Sequence, residues 1–224
     1  MHRSCYQQLG EVKLVYLSLI LLPFVVVAAL LINSHSSATL SAKELPALIK
    51  PVVNDNPIAL GEFSLRTSKG LKYGVEEMKG KWTFLFFGYT HCPDVCPATM
   101  SQLDTIVSRL NQRNMDANVL FVSVDPQRDT EKELSEYVSY FNRQFIAATG
   151  DSSEIKKLER QLGAAHRFST KDGSGNYSVS HSTSIYLLGP KVEVYAKFSI
   201  PMNVRKVVDQ YAGIVGYFSN KSSS

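Results

Sequence analysis

Two apolar runs constrain this chain more than anything else in it. Residues 82–89 read WTFLFFGY and residues 117–125 read ANVLFVSVD. Neither run alternates polar and apolar, so neither suits a sheet with one wet face. Both predict strands buried on two faces, as in a parallel sheet covered by helices. Between them Met100, Leu103, Ile106, Val107 and Leu110 recur at helical spacing and predict a helix over 97–113. A strand–helix–strand crossover of this kind pairs its strands in parallel, and ligands of such sheets collect beyond the carboxyl ends of the strands.

The rest of the domain follows the same alternation. GEFSLRTSKGLKYG predicts a hairpin turning near Ser68, Lys69 and Gly70. Residues 130–143 form a predicted helix with Leu134, Tyr137, Val138 and Phe141 on one face; FIAATG is a short strand, and residues 151–163 a short helix carrying Ile155, Leu158 and Leu162. VSHSTSIYLLG and VEVYAKFS predict two antiparallel strands turning at Pro190 and Lys191, followed by a last helix over about 203–218. This is an α/β layout in a single domain, residues 58–218.

Residues 14–32, LVYLSLILLPFVVVAALLI, carry no charge. At about 1.5 Å per residue they suffice to cross a hydrocarbon core of about 30 Å, and Pro23 is tolerated there. Arg3 and Lys13 precede the run, and residues 33–42 contain no Lys or Arg. The positive-inside rule therefore predicts residues 1–13 as a cytoplasmic tail, 14–32 as a single transmembrane anchor and the large domain outside; a bacterial inner membrane and its periplasm are the expected setting. The competing reading is a cleaved signal peptide, with SSATLSA as its small-residue site; its apolar region would be unusually long. Either way the domain faces an oxidising compartment. Residues 33–57 read as a linker and 219–224 as a flexible tail. The net charge is only +4, with no Lys/Arg run interleaved with aromatics, which argues against a nucleic-acid partner. Trp82, the single tryptophan, reads as core.

The chemistry is concentrated in FFGYTHCPDVCPATM, residues 86–100, which holds two of the chain's three cysteines. Cys5 lies on the predicted cytoplasmic side and reads as an incidental thiol. Pro93 and Pro97 disfavour the α conformation at Cys92 and Cys96, and Pro97 suits the first helical position. Cys96 is then expected at or near the helix N-cap, where the positive helix end would lower its thiol pKa. Pro93 and Asp94 would shape a turn returning Cys92 over that helix end. A structural bridge, a redox pair and a pair of metal ligands all fit, and spacing alone does not choose among them.

The histidines of the domain are His91, His166 and His181. Neighbouring side chains on an extended stretch point opposite ways, so His91 reads as a loop residue beside Cys92. His166 has no motif around it. His181 stands at the start of a predicted strand, where a surface or hydrogen-bonded histidine is the plain expectation. SVDPQRD places Asp125 and Asp129 at the end of the second buried strand, on the same sheet edge as the cysteines. Asp125 can start a turn there and Asp129 can cap the next helix.

Taken together and in order, FFGYTHCPDVCPATM, VLFVSVDPQRDT and YSVSHSTSIYLLGP resemble the Sco/SenC family of membrane-anchored copper-binding proteins over roughly residues 58–218. The resemblance implies a thioredoxin-like fold with an N-terminal hairpin, preceded by a single transmembrane helix. It implies a copper ion held by Cys92, Cys96 and His181, with Asp125, the family's Asp of the VDP block, linked to the site's surroundings; Asp94 and Asp129 are further secondary candidates by their position alone. It further implies help in building the copper A centre of cytochrome c oxidase, with oxidase subunit II as partner and a copper donor or thiol reductant protein upstream. One departure stands out: the family usually carries Asp directly before the late histidine, and here that position is Ser180.

Four readings follow. The leading one is a copper metallochaperone, an assembly factor rather than a turnover enzyme. The second is a thiol–disulfide reductase that keeps a target's cysteines reduced, using Cys92 and Cys96 as a catalytic redox pair and not needing His181; against it, thioredoxin-type enzymes use C-x-x-C, and here three residues intervene. A peroxidase would need a low-pKa Cys96. A purely structural disulfide is the last, though a domain of this size builds its core without one.

Overall fold

The two apolar runs become the centre of a sheet. The computed structural model describes residues 45–222. In chain order its elements are β1 (Val53–Ala59), β2 (Leu65–Thr67), β3 (Lys72–Tyr73), α1 (Val75–Met78), β4 (Thr83–Gly88), α2 (Val95–Asn111), β5 (Asn118–Ser123) and α3 (Glu131–Phe141). They continue with β6 (Ile146–Thr149), α4 (Ser152–Leu162), β7 (His166–Phe168), β8 (Val179–His181), β9 (Ile185–Leu188), β10 (Glu193–Phe198) and α5 (Val204–Ser222). The main sheet has the order β1-β10-β9-β4-β5-β6-β2-β3, and β7 and β8 form a separate two-stranded ribbon.

Every residue of β4 is buried, and β5 is buried from Val119 onward. The strands pair in parallel with Thr83 opposite Asn118 and Gly88 opposite Ser123, as the crossover demands. β6 extends the parallel pairing, whereas β9 and β10 run antiparallel. On α2, Met100, Leu103, Ile106 and Leu110 are fully buried and Val107 nearly so. Each such burial contributes about 1.5–3 kcal/mol relative to exposure. α2 packs against α5, and Arg113 Nη1 meets Asp209 Oδ1 at 2.8 Å between them. Trp82 leans on Tyr195 and Tyr211, with ring centroids 5.0 and 6.0 Å away, and so belongs to the core margin. The hairpin β2–β3 turns where expected, with the Gly70 N–H donating to the Thr67 carbonyl at 2.9 Å.

Several boundaries differ from the sequence reading. Sheet structure begins at Val53, inside the expected linker, because β1 pairs with β10 through Val53 and Ala196. Pro57 is admissible in β1 because that strand is an edge. The last helix continues to Ser222, into the expected flexible tail. The expected single strand around His181 is two strands, β8 in the ribbon and β9 in the main sheet, joined by Ser182–Ser184. Among the described residues no helix is long and apolar enough to cross a membrane. The expected tail 1–13 with Cys5, the anchor 14–32 and the linker up to residue 44 lie outside the described residues.

Candidate metal centre

Strand register delivers three segments to one sheet edge. Gly88 lies opposite Ser123, and Phe86 opposite Ile185. The carboxyl ends of β4 and β5 therefore lie beside the amino end of β9. The loop after β4 carries Cys92, the loop after β5 carries Asp125 and Asp129, and the segment entering β9 carries His181. Cys92, Cys96 and His181 each offer one donor atom, and these atoms all lie within 4.8 Å of one another. Both cysteines are free thiols.

Cys92 is half-buried, and its N–H donates to the Tyr89 carbonyl at 3.2 Å. Its sulfur lies over the start of α2, as the proline argument required, and accepts the Cys96 N–H at 3.4 Å. The helix itself starts earlier than expected. Its N-cap is Asp94, so Cys96 is the second helical residue and not extended. Pro97 at the third position loses nothing, because the first four N–H groups of a helix have no intrahelical acceptor. The helical conformation disfavoured before a proline is accepted here along with full burial of the Cys96 side chain.

That burial corrects a second expectation. Cys96 has no exposed surface, and desolvation pushes its thiol well above the usual range, outweighing the Tyr89 backbone hydrogen bond that favours the thiolate. Its sulfur is wedged against Gly88, where an added Cβ would sit 3.0 Å from Cys96 Sγ and 2.6 Å from Phe121 Cε2. Gly88→Ala is therefore expected to destabilise the fold by about 1–3 kcal/mol through overpacking and to push Cys96 out of place. A urea midpoint equal to that of the parent chain would contradict this.

His181 is also half-buried. Its Nδ1–H donates to the Ser182 carbonyl at 3.0 Å, which leaves the Nε2 lone pair facing Cys96 Sγ at 3.4 Å. Burial lowers its pKa, favouring the neutral imidazole that ligates metals. Phe86 and Tyr89 meet the ring edge-on, each at 5.9 Å between centroids. A fixed tautomer and a clamped ring are what a ligating histidine ordinarily receives from its surroundings.

The two aspartates lie beside this group and not within it. Asp129 does not cap α3; Thr130 does, its Oγ1 accepting the Glu133 N–H at 3.4 Å while its own N–H donates to Glu133 Oε2 at 2.9 Å. Asp129 is instead buried and accepts the Thr90 N–H at 3.0 Å, the Thr90 hydroxyl at 2.6 Å and the Ser123 hydroxyl at 2.5 Å. It thereby fastens the cysteine loop to the end of β5. Asp125, fully buried, accepts from Arg128 Nε at 2.5 Å and from the Tyr177 hydroxyl at 2.8 Å.

Asp94 is exposed and makes no side-chain capping bond. His91 stands outside the group, exposed and 3.0 Å from the Thr90 hydroxyl. His166 does have a partner the sequence did not suggest: Glu159 on α4, at 2.8 Å with both side chains almost wholly buried. Ser180 is exposed, opposite Arg167 in the ribbon. Arg128, Thr90, Tyr89 and Tyr177 were not singled out from the sequence. Their only signal was that they lie within the three motifs. A cavity of about 1120 Å³ opens at the opposite sheet edge, on Trp82, Asn118 and Ile146, and includes none of the three donors.

A family model described as SCO1/SenC matches residues 53–216. The mitochondrial Protein SCO1 homolog 1 of Arabidopsis thaliana is 34% identical over 168 residues, 75% of this chain and 47% of that relative, so the chain spans about half of its length. The crystal structure of Arabidopsis thaliana ScoI with copper bound is 32% identical with a TM-score of 0.67, covering 70% of this chain and 98% of that one. The structure of Bradyrhizobium japonicum ScoI with copper bound is 30% identical with a TM-score of 0.61, covering 71% and 99%.

Proposed function

The chain belongs to the SCO1/SenC family, and from that premise we infer that it is a copper carrier, holding Cu(I) between Cys92, Cys96 and His181 and serving assembly of the copper A centre of cytochrome c oxidase. The observation that carries this reading is the convergence of two thiols and one imidazole nitrogen within 4.8 Å. Two sulfurs and an imidazole suit copper by ligand softness. The relatives with copper bound support the choice of metal.

The copper is cargo, and the residues handle it in a defined way. Both cysteines must be deprotonated to bind, so loading releases protons. Burial disfavours the Cys96 thiolate and leaves the sulfur no exposed surface, which shields it from adventitious oxidation. Cys92, half-buried, presents the accessible side of the pair for exchange. Oxidation of the two thiols to a disulfide would pass two electrons and two protons to a disulfide on the target. The oxidised pair could not hold copper in this way, so loading and oxidation exclude one another.

The uncharged run 14–32 would anchor the chain in the bacterial inner membrane, with the domain in the periplasm facing oxidase subunit II. A second reading, a thiol–disulfide reductase acting on the target's cysteines, is favoured by the two free thiols side by side. Cys92 would then be the attacking sulfur, since it is the accessible one. The peroxidase reading loses its basis with the raised Cys96 thiol.

His181→Ala separates the two. Taking the scale of a four-ligand structural zinc site, about 10–16 kcal/mol, one ligand is worth about 2.5–4 kcal/mol. Cu(I) affinity is expected to fall roughly a hundredfold to a thousandfold, while the accessible Cys92 still reacts with a thiol reagent and the pair still forms a disulfide. Unchanged Cu(I) affinity would remove His181 from the ligand set, whereas a variant that loses metal yet keeps full function in cells would favour the reductase.

A further inference from the structure

His181 comes from the β7–β8 ribbon, which shares no ladder with the main sheet that carries the cysteines. Sheet register brings the segment before β9 to the right edge, but the final approach of the imidazole to the thiols is left to side chains. One cluster bridges the gap. Arg128, on the loop after β5, donates from Nε to Asp125 Oδ2 at 2.5 Å and from Nη1 to the Tyr177 carbonyl at 3.0 Å. Its guanidinium lies 3.7 Å from the centroid of the Tyr177 ring, a cation–π stack, and the Tyr177 hydroxyl donates to the other Asp125 oxygen at 2.8 Å.

Tyr177 thus meets the strand-end loop at three points: ring face, hydroxyl and carbonyl. It stands four residues before His181 and two before the start of β8. On its other flank the Arg128 guanidinium lies 5.6 Å from the ring of Tyr89, which itself meets the His181 imidazole edge-on. A buried carboxylate, a planar cation and an aromatic ring hold one another here through two hydrogen bonds and a stack, with Arg128 Nη2 buried and without a hydrogen-bond partner.

We propose that Arg128 and Tyr177 are positioning residues for the third ligand: with Asp125 they form a latch that presses the ribbon onto the strand-end loop and presents His181 Nε2 to the two sulfurs. The proposal rests on the metal-site reading above. Opening the latch leaves the thiol pair untouched and lets His181 move away, so metal is lost from the histidine side first.

The test is a double-mutant cycle on the full chain in detergent micelles, reading anaerobic Cu(I) affinity against a competing chelator for the parent, Arg128→Met, Tyr177→Phe, His181→Ala and the double variant Arg128→Met/His181→Ala. Changing residues that orient a ligand typically costs about 10–100-fold in metal affinity. Arg128→Met is expected to lose about tenfold or more on that scale and Tyr177→Phe less, since it keeps the stack and drops one hydrogen bond. In the His181→Ala background, Arg128→Met is expected to change nothing further, because its effect runs through the absent imidazole. The thiolate-to-copper absorption band of the Cu(II) form is expected to shift in Arg128→Met toward its position in His181→Ala, a change that mere destabilisation would not produce.

An equal loss from Arg128→Met with and without His181 would overturn the latch, as would parent-like affinity in both Arg128→Met and Tyr177→Phe. Should Arg128→Met fail to fold, Tyr177→Phe decides alone, with a shifted band and weakened binding for the latch and parent values against it. Absence of Cu(I) binding by the parent chain would instead overturn the metal reading, and the latch with it.

Discussion

Cys92→Ser is expected to lower Cu(I) affinity by roughly two to three orders of magnitude, at about 2.5–4 kcal/mol per ligand, and Cys96→Ser at least as much. A serine hydroxyl is a hard, weakly acidic donor that offers Cu(I) nothing comparable to a thiolate. The two variants should differ in the metal-free protein. Cys92 is half-buried, so a hydroxyl there keeps access to water and the fold should barely change. Cys96 has no exposed surface, and its serine variant should lose about 1–3 kcal/mol of stability unless the hydroxyl finds a partner. Chelator competition under anaerobic conditions, with urea unfolding of the apo forms, separates lost ligand from lost fold. Stoichiometric tight binding retained by both variants would remove the thiols from the site.

Asp129→Ala is expected to be the most damaging change outside the three donors. The carboxylate accepts the Thr90 N–H, the Thr90 hydroxyl and the Ser123 hydroxyl, all at one buried point. Alanine leaves these donors without their acceptor, at about 1–3 kcal/mol for each buried group that finds no substitute. A net loss of about 3 kcal/mol corresponds to a fall in Tm of roughly 6–12 °C for a domain of this size. Because Thr90 opens the cysteine loop, metal affinity should fall as well. Asp129→Asn keeps one acceptor oxygen and should lose about half as much stability. A Tm within about 2 °C of the parent would mean that the loop does not depend on this carboxylate, a shift below that of 1 kcal/mol.

Much of the central architecture was legible because burial on two faces leaves a local trace. WTFLFFGY and ANVLFVSVD could hardly be anything but buried strands, and the five apolar positions of α2 are all in the core. Their parallel pairing then placed the cysteine loop and the SVDPQRD loop at one edge without further information. What was not legible depends on contacts distant in sequence. β1 is hidden behind Asn54, Asn56 and Pro57, residues that read as a linker until β10 supplies a strand to pair with. The break between β8 and β9 follows from the ribbon, where His166 lies opposite His181, and no local pattern announces that pairing.

The site divides in the same way. The two cysteines declared themselves by spacing, and His181 only through a family resemblance. The local rule about residues before proline misplaced the start of α2, because burial of Cys96 is a tertiary matter. The same burial reversed the expectation for its thiol, which a helix end alone would have lowered. Arg128 and Tyr177 lie 49 residues apart, and nothing local in DPQRD or GNYSVS shows that they meet.

The central claim is that two sulfurs and one imidazole hold one copper. X-ray absorption at the copper edge on the Cu(I)-loaded full chain, with His181→Ala alongside, addresses it most directly. The account predicts one copper per chain, a shell of two sulfur scatterers and one nitrogen with the outer-ring pattern of imidazole, and loss of that pattern in the variant. A shell without sulfur, or an imidazole signal that survives in His181→Ala, would contradict it.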